Sequence, residues 1–366
     1  MKLKVLKEDF AKAVAQVSRF VNPRVQLPIL GNIVISATKT KLNLIATNLE
    51  LSISKELGAD ITEEGEIAVP GRILNEIVVN LPKGQVELGA EKEQLKLKAE
   101  GFVGSVAGMA TADFPKITRS LGRNYVDFPG SELVAALFKV AFCVSVDETR
   151  PVLNGVLFLF KKKELVLVAT DGFRLSQKTL KLTKEAGLEK VILPRAIIGE
   201  ILKTESNAEI NFELKEKENQ AVFGVGDTVL SSRVISGEFP NFEQIIPKTI
   251  LTKIYVDKEE LLRVVKLASV FARDNANMVK FEVLKDSLKV SAESAKSGVE
   301  EATLEAKVEG EEMEITFNYR FLEELLNVID GDEVAIELTN TTSPGVFRDP
   351  KDPDFLHLIM PVKIQA

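Results

Sequence analysis

The sequence predicts an α+β protein built from three repeated domains, each with two helices packed on antiparallel sheet. Two observations predict this fold class: segments recur about every 123 residues, and each copy repeats the same order of helical and alternating patterns. A chain of 366 residues also has room for two or three domains. The predicted domains are residues 1–122, 123–249 and 250–366.

The repeat is clearest around a segment that contains a proline and two alternating runs. The run that starts at Leu27, LPILGNIVISATKTKLNLIATNLELS, matches RPVLNGVLFLFKKKELVLVATDGFRLS, which starts at Arg150. A second block aligns VPGRILNEIVVNL, LPRAIIGEILKT and FNYRFLEELLNVI, and it superimposes Glu76, Glu200 and Glu324. Solenoid repeats run roughly 20–50 residues, so each of these longer copies is a whole domain.

Each copy is predicted to contain two helices. The segments EDFAKAVAQVSRFV, SELVAALFKVAFCV and KEELLRVVKLASVF place apolar residues at three- and four-residue spacing, with an acidic residue near the start. A second helix follows a residue that can begin one, which is Pro70, Pro194 or Asn318.

Alternating strands are predicted for the remainder of each copy. They are GNIVIS with KLNLIAT, GVLFLF with ELVLVAT, QVELGA with QLKLKAE, EINFEL with QAVFGV, and EVAIEL with HLIMPVKI. Between ELVLVAT and RLSQKTL, Asp171 and Gly172 predict a tight turn, because glycine supplies a positive φ and aspartate tolerates the turn. Helices on one face of such a sheet, with a polar face opposite, give an α+β domain.

Composition narrows the protein classes. No apolar run approaches the ~18 residues of a transmembrane helix, and the first residues, MKLKVLKEDF, lack the apolar segment of a signal peptide. The only cysteine, Cys143, excludes an internal disulfide framework and fits a reducing compartment. Cys143 lies in an apolar helical pattern, where a thiol usually fills the core. We therefore expect a cytoplasmic protein that does not enter a membrane.

Few catalytic or cofactor chemistries remain open. A serine or cysteine nucleophile would have to use the one histidine, His357, and a histidine-rich zinc site is impossible. No GxxxxGK[ST] loop and no GxGxxG loop after a strand appears, so we expect neither a cofactor nor a metal. A hydrolase or transferase would need paired carboxylates of raised pKa, from Asp171 or from Asp147 and Glu148. The first copy has Asn48 at the position of Asp171, which favours a turn there.

The whole chain resembles the family of bacterial β sliding clamps, the processivity subunits of replicative DNA polymerases. The segments that carry the resemblance are RVQLPIL (24–30), RPVLNGVLF, VATDGFRL, EFPNFEQIIP (238–247) and HLIMPVKI (357–364). The resemblance implies the DNA-clamp fold and a non-catalytic processivity factor. It also implies a homodimer: domain 1 of one chain meets domain 3 of the other, closing a ring around double-stranded DNA.

Charge distribution agrees with a ring that slides. The three predicted domains carry net charges of +2, 0 and −9, so no domain is strongly basic. A protein that grips DNA tightly usually has a basic domain, whereas a ring needs only a few cations facing the phosphates. By the resemblance, the cations near the hole are Arg24, Arg72, Arg150 and Arg195.

The resemblance further implies a hydrophobic groove between domains 2 and 3. In this family the groove binds short linear peptides of DNA polymerases, the clamp loader and repair proteins. Carried over by position, its walls are Leu153, Thr170, Gly172, Phe173, Arg174, Leu175, Pro240, Ile245, Asn318, Phe321, Thr342, Pro344, Leu358, Met360, Pro361 and Val362. Leucine and phenylalanine anchors of a peptide need such an apolar pocket, to which Met360 adapts, and Arg174 is expected to meet polar or terminal groups.

The chain departs from the family pattern in three places. Phe173 stands where a histidine is common, Phe242 replaces a frequent tyrosine, and Gln365 and Ala366 extend the usual apolar end. A third function also stays open, that of a monomeric DNA-binding or adaptor protein of the same fold. A mass in solution near 40.3 kDa would favour it, and twice that mass would favour the clamp.

Overall fold

The helices form where the amphipathic patterns predict them. The structure, a computed structural model, describes residues 1–22, 27–204, 207–295 and 298–362. Within these ranges the helices are α1 (Lys7–Val17), α2 (Gly71–Asn80), α3 (Gly130–Ala141), α4 (Arg195–Ile201), α5 (Lys258–Ala272) and α6 (Tyr319–Leu326). Each third of the chain therefore holds one longer and one shorter helix, as the repeat predicts.

Strands make up most of the remaining described chain. The first third contains β1 (Lys2–Leu6), β2 (Asn32–Thr38), β3 (Lys41–Thr47), β4 (Leu51–Leu57), β5 (Asp60–Glu63), β6 (Gly65–Pro70), β7 (Gln85–Glu91), β8 (Gln94–Ala99) and β9 (Phe102–Ala107). The second contains β10 (Val126–Pro129), β11 (Gly155–Lys161), β12 (Glu164–Thr170), β13 (Arg174–Lys181), β14 (Lys190–Pro194), β15 (Glu209–Lys215), β16 (Gln220–Val225) and β17 (Thr228–Arg233). The third contains β18 (Thr252–Asp257), β19 (Met278–Leu284), β20 (Ser287–Ser294), β21 (Gly298–Glu309), β22 (Met313–Asn318), β23 (Glu333–Leu338), β24 (Gly345–Asp349) and β25 (Asp352–Ile359).

These elements pack into two compact units. The first unit consists of Met1–Ser131 and Lys203–Val234. It holds a five-stranded sheet in the order β5-β1-β7-β8-β9 and an eight-stranded sheet in the order β10-β15-β16-β17-β4-β3-β2-β6. In the larger sheet, β17 of the second repeat pairs antiparallel with β4 of the first, so one sheet spans two copies.

The second unit consists of Glu132–Leu202 and Ile235–Ala366. Its single sheet has twelve strands in the order β14-β11-β12-β13-β25-β24-β23-β18-β21-β20-β19-β22. Here β13 of the second repeat pairs antiparallel with β25 of the third. The α+β fold with three like copies is therefore confirmed, while the strands of the second copy are shared between the two units.

Local signals explain where the second helices begin. Pro70 and Pro194 precede the first residues of α2 and α4, and Asn318 precedes α6. The Asn318 side-chain oxygen accepts the N–H of Arg320 at 3.0 Å, which caps α6. Asp257 caps α5 in the same way by accepting the N–H of Glu260 at 2.8 Å.

The structure corrects two predictions at element ends. The predicted strand HLIMPVKI is too long, because β25 ends at Ile359 and the described chain beyond it runs as an irregular segment to Val362. The helical pattern around Cys143 is also too long, because α3 ends at Ala141. No helix in the described ranges is long and apolar enough to cross a membrane.

A large apolar core stabilises the second unit. Phe317 is fully buried there, and its ring lies 5.6 Å from the rings of both Phe281 and Phe347 in edge-to-face geometry. Aromatic pairs of this kind contribute beyond the area they bury.

Replacing Phe317 by alanine is expected to lower the free energy of unfolding of the second unit by about 3–5 kcal/mol, because a ring-sized cavity remains. Urea denaturation followed by circular dichroism measures the change. Phe138→Ala is the matched control, since the Phe138 side chain is 56 % exposed and its loss should cost about 0.5 kcal/mol or less. Equal losses in both variants would contradict the assignment of the core.

Candidate functional site

The turn between β12 and β13 is built by its own side chains. Asp171 Oδ1 accepts the N–H groups of Phe173 at 2.9 Å and Arg174 at 3.0 Å. Thr170 Oγ1 donates to the Arg174 carbonyl at 2.6 Å and accepts the N–H of Gly172 at 3.0 Å. Gly172 has a φ of +93°, as the predicted turn requires. The carboxylate of Asp171 therefore shapes the backbone that presents the next residues.

Beyond the turn, the chain passes from the surface into the core. The Phe173 side chain is 61 % exposed, whereas Leu175 is 1 % exposed and sits directly opposite Leu358 in the β13–β25 pairing. Both leucines belong to one apolar cluster with Phe242. This pair forms an apolar floor beside an exposed aromatic ring.

The end of the described chain continues from this floor to α6. The N–H of Met360 donates to the Phe173 carbonyl at 2.8 Å, and the N–H of Val362 donates to the Thr316 carbonyl of β22 at 2.8 Å. The segment Met360–Val362 thus links the turn to the strand that ends at Asn318. Met360 itself is 38 % exposed, so its thioether stays available to a ligand.

The other predicted wall residues differ in their exposure. Leu153 is buried in a short 3-10 turn after Arg150, and Pro240 and Ile245 are exposed on a segment anchored to the floor cluster through Phe242. Half-buried positions are taken by Asn318, Phe321, Pro344, Pro361 and Val362. Thr342 is exposed, and its amide and hydroxyl bond only to Asn340 in the same loop, at 2.9 and 3.0 Å.

Arg174 is held inside the protein rather than presented to solvent. Its side chain is 9 % exposed and forms salt bridges to Asp171 at 3.0 Å and Glu324 at 2.7 Å. These carboxylates raise the pKa of the guanidinium although its burial acts against the charge. The family resemblance predicted that Arg174 meets polar groups of a ligand. Nothing in the sequence indicated that Arg174 would pair with Glu324 on α6.

A buried polar cluster lies behind the floor. Ser176 Oγ lies 2.6 Å from His357 Nδ1 and 3.3 Å from the Cys143 sulfur, and all three side chains are fully buried. Burial raises the pKa of the Cys143 thiol to about 12 and, with the charge of Arg174, holds the pKa of His357 well below 6.5. The thiol is therefore protonated and inert, and the predicted burial of Cys143 is confirmed.

The carboxylates of the enzyme hypothesis do not form an acid–base pair. Hydrogen bonds from Thr149 lower the pKa of Asp147, which is the opposite of what a general acid needs. Both oxygens of Asp171 accept bonds from the turn and from Arg174. Within the residues that the structure describes, no three His, Cys, Asp or Glu side chains are grouped to hold a metal ion.

Three of the four predicted DNA-contacting cations lie in the described chain. Arg72 and Arg195 occupy the first turns of α2 and α4, and both are exposed. Arg150 and Arg195 line one cavity of about 400 Å³ next to Phe173. Arg24 lies outside the described residues. Sequence reasoning missed Arg320, which the repeat places at the equivalent exposed position of α6.

The first repeat builds the same turn on a different floor. Asn48 Oδ1 accepts the N–H groups of Glu50 and Leu51 at 3.0 and 2.7 Å, as Asp171 does in the second repeat. The floor pair is polar, however, because Ser52 pairs with Ser231 and their hydroxyls lie 3.1 Å apart. The cavity at this junction is lined by polar side chains as well as by Leu49 and Ile117, and a serine pair replaces the apolar pair of Leu175 and Leu358.

Comparison with known proteins covers nearly the whole chain. Three profiles, described as the N-terminal, central and C-terminal domains of the DNA polymerase III beta subunit, match residues 1–118, 127–241 and 243–363. A beta sliding clamp of Staphylococcus aureus is 28 % identical over 374 aligned residues, which cover 99 % of each chain. A sliding clamp structure from Bacillus subtilis superimposes with a TM-score of 0.95 at 26 % identity. A sliding clamp structure from Bartonella birtlesii, bound to griselimycin, superimposes with a TM-score of 0.93 at 29 % identity. Each alignment covers 100 % of both chains.

The buried histidine predicts a pH dependence of stability. Because the pKa of His357 is depressed in the folded state, the unfolded chain binds a proton that the native chain does not. Stability is then fully present above the unfolded pKa of 6.5 and falls as pH drops below it, by up to about 1.4 kcal/mol per pH unit.

Urea denaturation at several pH values measures this slope. His357→Gln is the matched variant, since glutamine cannot gain a proton. All carboxylates are still present in this variant, so their titration is common to both proteins. The difference in free energy of unfolding between wild type and variant is expected to be constant above pH 6.5 and to shrink below it. Parallel curves across the whole range would contradict the assignment.

Proposed function

Because this chain belongs to the family of DNA polymerase III beta subunits, the β sliding clamps, we propose that two copies associate head to tail into a ring around duplex DNA. The ring tethers DNA polymerase and other proteins that carry short linear peptides. It acts in the cytoplasm as a non-catalytic processivity factor. The observation that carries this proposal is a pair of unmatched sheet edges.

The three repeats offer equivalent edge strands, and two of the three possible pairings form within the chain. The strands β4, β13 and β21 begin at residues 51, 174 and 298, while β9, β17 and β25 begin at 102, 228 and 352. Pairing joins β17 to β4 and β25 to β13. In the described chain, β9 pairs only with β8, and the first eight residues of β21 pair only with β20. The missing third pairing is therefore open to a second copy.

The exposed side chains of the two open edges and the net charges of the predicted domains favour this contact. Val103 on β9 is 79 % exposed and Val299 on β21 is 65 % exposed, and valines at such positions pack well across strands. On β21, burial and the neighbouring Glu301 raise the pKa of Glu300, and one of its carboxylate oxygens has no hydrogen-bond partner in the described chain. The predicted third domain has a net charge of −9 and the first +2, which favours a contact between unlike ends.

The same ring needs only weak contacts to DNA. The exposed cations Arg72, Arg150 and Arg195 are suited to contact phosphates. We add Arg320 to these cations, because its position in α6 is equivalent to that of Arg72 in α2. Phosphate contacts of this kind do not read sequence, so the ring can slide. A peptide that enters the groove over Leu175 and Leu358 holds the polymerase or clamp loader to the ring.

A cation placed on either open edge should prevent ring closure. Val103→Arg and Val299→Arg are each expected to convert a dimer of twice 40.3 kDa into a 40.3 kDa monomer, because a charge would be buried in the strand pairing. Light scattering after size exclusion measures the mass, and retention on circular DNA tests encirclement.

Val146→Arg is the matched control, since Val146 is 76 % exposed but lies outside the strands. It should stay dimeric. A wild-type chain with monomer mass would instead favour the monomeric DNA-binding or adaptor protein.

Removing the exposed ring beside the floor should weaken peptide binding. Phe173→Ala is expected to lower the affinity for a fluorescent peptide with one Gln, two Leu and one Phe by tenfold or more, about 1.4 kcal/mol, since aromatic anchors dominate such contacts. Fluorescence polarisation measures the dissociation constant.

Phe138→Ala removes an equally exposed ring on α3 and should leave the affinity unchanged. The unfolding temperature of both variants should stay close to that of wild type. Equal peptide binding by wild type and Phe173→Ala would remove this turn from the groove.

A further inference from the structure

Each nitrogen of the Arg174 guanidinium already donates one hydrogen bond within the protein. Its Nε donates to Asp171 Oδ2 at 3.0 Å, its Nη1 to Glu324 Oε2 at 2.7 Å, and its Nη2 to the Phe142 carbonyl at 3.0 Å. With 9 % of the side chain exposed, little of the group is left for a ligand. Arginine presents its donors in a fixed fork, so three acceptors in three directions hold it in one orientation.

Two aromatic rings also contact the guanidinium. The ring of Phe321 lies 4.6 Å from its central carbon, and the ring of Phe142 lies 5.3 Å from it. Phe321 and Glu324 are three residues apart on α6, so they lie on the same side of that helix. Arg174 therefore joins α6 to the β12–β13 turn by an ion pair with Glu324 and by a cation–π contact with Phe321.

We propose that Glu324 is a positioning residue for the peptide groove. It holds Arg174 as a strut that sets the distance between two walls, the turn carrying Phe173 and the first turn of α6 carrying Asn318 and Phe321. This inference rests on the proposed function of the groove. Glu324 acts through Arg174 and does not touch the peptide.

The position of Glu324 supports a role at a distance. Its side chain is 47 % exposed and lines the cavity of about 400 Å³ that Phe142 and Arg195 also line. Phe173 and Arg174 line the same cavity, whereas the floor residues Leu175 and Leu358 do not. The carboxylate of Glu324 thus lies beside the turn and outside the apolar floor.

A direct contact between Arg174 and the peptide predicts a different effect of removing the charge of Glu324. If the guanidinium bound polar groups of the peptide, removing the charge of Glu324 would free a donor and leave the affinity equal or tighter. If the guanidinium is a strut, the same change loosens α6 against the turn and weakens binding. The sign of the effect of Glu324→Gln therefore separates contact from positioning.

The experiment measures the affinity of the full-length chain for the same fluorescent peptide with one Gln, two Leu and one Phe. Glu324→Gln is expected to weaken binding about tenfold, which is the scale of coupling between directly paired side chains. Glu323→Gln is the matched control: it makes the same charge change one position earlier on α6, and it should bind like wild type. Circular dichroism at the binding temperature confirms that each variant is folded.

A double-mutant cycle tests whether Glu324 acts through Arg174. Arg174→Met keeps an apolar stem between the two rings but removes the ion pair, and the double variant with Glu324→Gln should bind no more weakly than Arg174→Met alone. A loss of stability alone would not produce this non-additivity among folded variants.

The outcomes are distinct. If the wild type binds the peptide and Glu324→Gln binds it equally or more tightly, the proposed role of Glu324 is overturned and the proposed groove is retained. Additive losses in the double variant also overturn it, since Glu324 would then act independently of Arg174. A wild-type chain that binds no peptide overturns the groove and the strut together.

Discussion

The antiparallel pairing of edge strands between repeats is the constraint on which the rest of this structure depends. An unpaired edge exposes a row of backbone donors and acceptors, and β17 with β4, and β13 with β25, satisfy two such rows inside the chain. Two pairings among three repeats leave β9, and the first eight residues of β21, with one partner each in the described chain. The same requirement supports the proposal that a second chain pairs with these edges.

Pairing between repeats also brings together the side chains of the proposed peptide groove. At the β13–β25 junction the opposed residues are Leu175 and Leu358, and at the β17–β4 junction they are Ser52 and Ser231. Both junctions carry the same side-chain-bonded turn. The two junctions thus share one backbone design and differ in the side chains on the floor. For this reason the proposed peptide groove is assigned to the β13–β25 junction and not to the β17–β4 junction.

The polar groups behind the groove are held at some cost in free energy. A fully buried neutral histidine and a nearly buried arginine lie close enough for the charge of Arg174 to lower the pKa of His357. Such groups are tolerated because Arg174 has three acceptors and two aromatic neighbours, and because His357 has Ser176 at one nitrogen. Breaking one of these pairs would leave a buried charge uncompensated, so the network fixes the geometry of the turn more firmly than apolar packing alone.

The sequence by itself determined the repeat, the helices and the turn at Asp171 and Gly172. These features follow from local rules, namely hydrophobic period, helix caps and the positive φ that glycine allows. It also singled out Phe173, Leu175 and Met360 through the resemblance, and their roles remain predictions. Only the tertiary structure decided that neighbouring repeats share sheets, that β25 ends at Ile359, and that Arg174 is bound to Glu324. Strand partners and ion pairs join residues more than a hundred positions apart, and no period or motif in the chain records which distant segments will meet.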